Sequence, residues 1–243
     1  MLHIYKTPDL LLLALADFVV ERATDSINTT GRFNFALSGG NSPKRLYELL
    51  ASHVYRRRID WSKVYFFFGD ERYVPADHSN SNFLMAKNTL FKPLSISESQ
   101  VFGVDTSLSP SDSAIDYEQR LRKHFKNSEI NFDLILLGLG DNSHTASLFP
   151  HTSILHEEHA LIKEIYVQEV SMYRITFTAP LINAARCVAF LVYGSSKSEA
   201  LVHILKDPLN IDDYPAQLVQ PKAGELHWFI DGAAAAMLDE EGV

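Results

Sequence analysis

Short runs of apolar and aromatic residues alternate with helical patterning along most of this chain. Phe33–Leu37, Val64–Phe68, Phe132–Leu137 and Val188–Tyr193 are broken by polar side chains only at Asn34 and Asp133. Runs of this kind fit strands buried on both faces. Val101–Val104, the half-buried Ile175–Thr178 and Leu226–Ile230 predict three further strands. Between them the spacing predicts helices over about Pro8–Asn28, Pro43–Ala51, Asn80–Leu90, Ser111–Phe125 and Ser196–Leu205, with Asp231–Leu238 closing the series. Asp17 and Glu21 share one face of the first helix. The apolar Leu10–Ala16 therefore reads as part of a docked amphipathic helix, not a signal peptide. Doubly buried strands separated by helices predict one α/β domain over residues 1–243, with a mostly parallel sheet flanked by helices. The Ser/Pro-rich segment Ser107–Ser113 is too short to divide it.

Composition narrows the function. Of 243 residues, 46% are hydrophobic, and 15 Phe with 10 Tyr supply a core, so a disordered chain is excluded. A formal charge of −8 argues against a nucleic-acid partner but leaves room for a local cluster around a small anion. The single Cys187 excludes a disulfide framework and a Cys-based zinc site. His156-Glu157-Glu158-His159 lacks the spacing of a zinc helix, so neither a metal nor a cofactor is expected. No stretch reaches the ~18 apolar residues of a membrane helix. The expectation is a cytoplasmic monomer or weak homo-oligomer.

In open α/β sheets, ligands bind beyond the carboxyl ends of the strands, so the strand-to-helix loops are where chemistry is sought. Ser38-Gly39-Gly40-Asn41-Ser42 leads into a helix and reads as a phosphate cradle or, equally, as a tight capped turn. Asp70-Glu71-Arg72 follows an apolar strand, and a solvated, ion-paired turn is the plainer alternative. Gly138–Thr145 approaches a dinucleotide fingerprint, but Ser143 stands at its third glycine. It carries His144 just past a buried strand. Lys197 opens a helix, where a cation opposes the macrodipole unless an anion sits beside it. Four strand ends bearing a cradle, a charged triplet, a His and a Lys point to a sugar-phosphate site.

Several of these stretches resemble the 6-phosphogluconolactonases. They are Leu37-Ser-Gly-Gly-Asn-Ser-Pro43, Gly69-Asp-Glu-Arg-Tyr-Val-Pro75 with Ser79-Asn-Ser-Asn82, Gly138-Leu-Gly-Asp-Asn-Ser-His-Thr-Ala-Ser-Leu-Phe-Pro150, Arg174–Thr178 and Lys197. Pro215-Ala216 and Trp228–Asp231 also fit, in order from about residue 33 to 238. The resemblance implies a modified Rossmann-like α/β domain related to the glucosamine-6-phosphate deaminases. It also implies hydrolysis of 6-phospho-D-glucono-1,5-lactone in the pentose phosphate pathway. It makes His144 the general base and gives Arg72 and Lys197 the phosphate or sugar oxygens.

We place Asn142 and Asp70 with His144 as catalytic candidates. Ser38, Gly39, Gly40, Asn41, Ser42, Arg72, Arg174 and Lys197 are the candidates for binding substrate. A δ-lactone is a strained ester, so one base worth ~10²–10⁴-fold, with donors for the oxyanion, suffices without metal or covalent nucleophile. The family pattern usually has Asp-Gly before the His, whereas this chain has Asn142-Ser143. A deaminase acting on glucosamine 6-phosphate and a non-catalytic sugar-phosphate binder are the alternatives. His144-Thr-Ala-Ser-Leu-Phe follows the lactonase form, not the Asp-Gly-His-Ile-Ala-Phe of the deaminases.

Overall fold

Side chains along the core strands alternate between two hydrophobic layers, as the two-residue period of a strand requires. In the computed structural model, which describes residues 1–126 and 128–238, the strands are β1 (Leu2–Tyr5), β2 (Phe33–Leu37), β3 (Val64–Phe68), β4 (Asp70–Arg72), β5 (Val101–Phe102), β6 (Leu134–Leu137), β7 (Ile162–Val167), β8 (Met172–Phe177), β9 (Cys187–Val192) and β10 (Glu225–Asp231). Seven of them form an all-parallel sheet in the order β1-β10-β9-β6-β2-β3-β5. Phe33, Phe35, Leu37, Leu134 and Leu136 face one layer, while Ala36, Ile135 and Leu137 face the other.

Helices cover both faces. The first layer is closed by α1 (Pro8–Thr30) and α2 (Asn41–Leu50), through Leu11, Leu15, Val19, Leu46 and Leu50. A short helix, α3 (Asn82–Ala86), continues through a π turn at Lys87–Phe91 into α4 (Lys92–Leu94) on the same side. The opposite layer receives α5 (Pro110–His124), α6 (Ala179–Asn183), α7 (Ser198–Lys206) and α8 (Gly232–Ala235).

The remaining strands differ from the expectation. Gly69–Pro75 was expected as a loop, but Asp70–Arg72 is a strand, and it joins β8 and β7 in a second, antiparallel sheet. The run at Ile175–Thr178 belongs to this sheet. Residues 175–178 are all buried rather than half-buried, because Ile175 and Phe177 pack into the α5 layer while Thr176 Oγ1 accepts from Ser147 N and Thr178 Oγ1 donates to Ala160 O. β1 and β7 are two further strands that the apolar runs do not predict. The predicted helix at Asn80 begins at Asn82, since the Ser81 hydroxyl caps it by accepting from Leu84 N. The last five residues of the expected 1–243 domain lie outside the described residues.

Strand order reverses between β2 and β6, and a crevice opens at such a switch point. Two buried tyrosines pin the strand ends beside it. Tyr47 Oη accepts from Ser38 N at 3.0 Å and donates to Ser38 O at 2.8 Å. Tyr117 Oη does the same for Phe68 N and O, at 2.8 and 3.2 Å. The loops after β2 and β3 are thereby anchored from opposite layers.

Candidate active site

A cavity of about 280 Å³ occupies this crevice. It is lined by Ser38, Gly39, Gly40, Asn41, Ser42, Asp70, Arg72, His144, Arg174 and Lys197, so ten of the eleven residues singled out from sequence meet around it. The eleventh, Asn142, lies outside the lining and instead touches His144 from behind.

The β2 loop runs straight into α2. Gly40 is the N-cap, and no side chain caps it, so the first amides of α2 open toward the cavity, as an anion requires. Gly39 is fixed by crowding: a Cβ there would stand 2.0 Å from Asn82 Oδ1. Asn82 cannot yield freely, because its Nδ2 donates to Asp70 O at 2.9 Å.

The charged triplet divides by strand alternation. Glu71 turns away from the cavity and accepts from Arg72 N, Asn82 N and Phe83 N at 2.7–2.8 Å. Burial pushes its carboxyl up, against those bonds. Glu71 thus anchors α3 and does not form a solvated turn. Asp70 and Arg72 share the other face. Asp70 Oδ2 accepts from Ser147 Oγ at 2.8 Å. Arg72 stands directly opposite Arg174 in the β4–β8 pairing. Like charges in facing strand positions repel, and burial of Arg174 adds a desolvation cost that lowers its pKa. The Nε of each arginine is buried without a partner among the described residues. Arg72 Nη1 donates to Asn80 O at 2.8 Å, and the two remaining Nε donors give this side of the cavity the chemistry that suits an anion.

His144 sits in the loop after β6. Its ring stacks on Phe149, with centroids 4.0 Å apart, and its Nδ1 lies 2.5 Å from Asn142 Oδ1. An amide oxygen only accepts, so Nδ1 carries the proton and Nε2 is left with a free lone pair. Burial draws the ring pKa down to about 4 against the pull of Asp70, and Lys197 and Arg174 add to the lowering. The ring is therefore neutral at pH 7. Ser143 takes φ 64°, the left-handed region that glycine favours, so this serine holds a backbone shape that a glycine would take without strain. Asp141 accepts from Lys197 Nζ and Ser196 Oγ. The anion beside Lys197 is thus in part the protein's own carboxylate.

A family model described as glucosamine-6-phosphate isomerases/6-phosphogluconolactonase matches residues 6–228. The chain belongs to this family. Among relatives, the 6-phosphogluconolactonase of Nostoc sp. is 40% identical over 232 residues, 94% of each chain. That of Synechocystis sp. is 43% identical, over 90% of each. Among solved structures, 6-phosphogluconolactonase from Trypanosoma cruzi superposes with a TM-score of 0.86 at 29% identity, covering 98% of this chain and 96% of that one. The mostly parallel sheet flanked by helices is the fold shared with these lactonases.

Three further residues, Ser147, Phe149 and Glu169, touch the candidate site. Ser147 and Phe149 lie inside the motif string, which could have named them. Glu169, whose Oε2 accepts from Asn142 Nδ2 at 2.9 Å, comes from the β7–β8 turn and leaves no mark in the sequence. Away from the cavity, Cys187, Glu225 and His227 are the described residues whose ligand atoms converge, within 4.8 Å. Burial pushes the thiol up to about 12, and Arg22 Nη1 stands 3.5 Å from Glu225, so this cluster is poorly suited to a cation. His156 and His151 lie beside Asp212 and Asp213 at 3.1 and 3.2 Å, pairings that give the exposed His-rich segment a structural use.

Proposed function

We propose that the chain hydrolyses 6-phospho-D-glucono-1,5-lactone to 6-phospho-D-gluconate, the lactone step of the oxidative pentose phosphate pathway, as a cytoplasmic enzyme. The observation that carries this reading is a neutral, oriented histidine in one cavity with two facing arginines, each keeping a buried Nε without a partner among the described residues. His144 Nε2 takes a proton from water as the water oxygen attacks C1, and the carbonyl electron pair moves to oxygen. The tetrahedral intermediate collapses by breaking the bond from C1 to the ring oxygen. The proton on Nε2 then passes to that departing oxygen, giving the open-chain hydroxyl and a carboxylic acid that ionises. Arg72, Arg174, Lys197 and the open end of α2 bind the phosphate, whose remote binding energy orients the lactone for attack.

The purified protein should accelerate lactone opening well above the spontaneous rate and release no ammonia from glucosamine 6-phosphate. Ammonia release would identify a deaminase, and tight sugar-phosphate binding without turnover a binding protein.

The two kinds of cation should differ in weight. Arg174 keeps an unsatisfied donor, whereas Lys197 already has Asp141. A charge-assisted hydrogen bond is worth about 1.5–3 kcal/mol, so Arg174→Ala should raise KM by roughly ten- to hundredfold. Lys197→Ala should raise it by less. Equal effects in steady-state kinetics would show that Asp141 leaves Lys197 when substrate binds.

A further inference from the structure

Asn142 presents a chemical difficulty that its neighbours resolve. An aspartate behind His144 could only accept from Nδ1. An asparagine can present either end of its amide. With Oδ1 forward, Nδ1 holds the proton and Nε2 is a base. With Nδ2 forward, Nδ1 must accept, the proton moves to Nε2, and the ring cannot take a proton from water. Orientation of one amide therefore decides whether His144 is active.

We infer that Glu169 is a positioning residue that locks this amide and, through it, the tautomer of His144. Glu169 Oε2 lies 2.9 Å from Asn142 Nδ2. A carboxylate has no hydrogen to give, so only Nδ2 can face it. Oδ1 is then turned to His144, where it accepts from both Nδ1 at 2.5 Å and the backbone N at 3.4 Å. The arrangement is a relay of carboxylate, amide and imidazole in which each hydrogen bond leaves its neighbour one choice. It supplies with two residues the orientation that a single aspartate would give, while keeping the negative charge one residue farther from the ring. The backbone N–H at 3.4 Å favours the same amide orientation, so Glu169 contributes part of the selection and not all of it.

This inference rests on His144 being the base, and the test separates the two. Glu169 is exposed on the turn between β7 and β8, so its substitution leaves the core untouched. Glu169→Ala should lower kcat by roughly three- to tenfold with KM within about twofold, from the loss of one net hydrogen bond. Nitrogen-15 spectra of histidine-labelled protein should show His144 protonated at Nδ1 in the wild type and a mixture of tautomers in Glu169→Ala. Asn142→Asp removes the choice of amide end, and the exposed Glu169 turns away from the new carboxylate, so adding Glu169→Ala to it should cause no further fall in kcat. A further fall as large as that seen in the wild-type background would overturn the relay. Unchanged kcat and an unchanged tautomer in Glu169→Ala, with His144→Gln inactive, would overturn the role of Glu169 and leave the base in place. An active His144→Gln would instead overturn both.

Discussion

Replacing His144 with glutamine is expected to lower kcat on the lactone by about 10²–10⁴-fold while moving KM by less than about threefold. The group acts on a proton that moves only in the transition state, so ground-state binding has little to lose. The same residue sets a pH limit whose sign follows from its surroundings. Burial disfavours the imidazolium, Lys197 and Arg174 do likewise, and Asp70 and Asp141 oppose them, leaving a pKa of about 4. The free base thus persists throughout the neutral range and disappears only as pH falls through about 4. A plot of kcat/KM against pH should stay level below neutrality and drop near that value. An acid limb near the ordinary histidine value of 6.5 would mean that the ring is better solvated than its position in the cavity implies.

Gly140→Ala should be nearly as damaging, although it removes no functional group. A Cβ at Gly140 would lie 2.1 Å from His144 Nδ1 and 2.3 Å from Cε1, far inside contact distance. The ring cannot swing aside cheaply. Phe149 stacks on it at 4.0 Å, and Asn142 holds Nδ1. Gly140 N also donates to His144 O at 2.8 Å, which ties the two ends of the turn together. The alanine must therefore push the imidazole off its hydrogen bond. Misplacing a reacting group by about 1 Å can cost ~10²-fold, and a loss of that order in kcat is expected. Circular dichroism should change little, since no left-handed backbone angle is required there, whereas forcing the ring aside costs about 1–3 kcal/mol and should lower the melting temperature by several degrees. A variant that keeps more than half of the wild-type kcat would show that the loop moves as a unit.

The parts of this molecule that sequence made legible are those governed by burial. β2, β3, β6 and β9 announce themselves because all their positions but Tyr65 are buried, which a chain satisfies with nearly continuous apolar runs. The small sheet obeys a different rule. β7 reads Ile-Lys-Glu-Ile-Tyr-Val, with one face half in solvent, and β4 is three charged residues long. β7 has β-favouring residues but no clean alternation, β4 has none, and both pair with β8, which lies between them. The site follows the same division. Residues at the ends of buried strands could be found by asking where such strands stop. Glu169 could not, since its contact with Asn142 spans 27 positions and depends on how one hairpin leans over another loop. The facing of Arg72 and Arg174 was equally hidden, because it is a matter of strand register.

That facing has a thermodynamic consequence. Arg72 and Arg174 belong to the small antiparallel sheet, whereas the α2 terminus, His144 and Lys197 follow strands of the large one. An anion seated among them is a clasp between two layers as well as a ligand. Mass action fixes its contribution: at one hundred times the dissociation constant, a bound phosphate compound adds about 2.7 kcal/mol to the folded state. The gain should register first as slower amide exchange in β4 and β8, the strands that carry the two arginines. Product holds the same phosphate as substrate, so a cell rich in 6-phosphogluconate would keep this protein more tightly folded than one depleted of it.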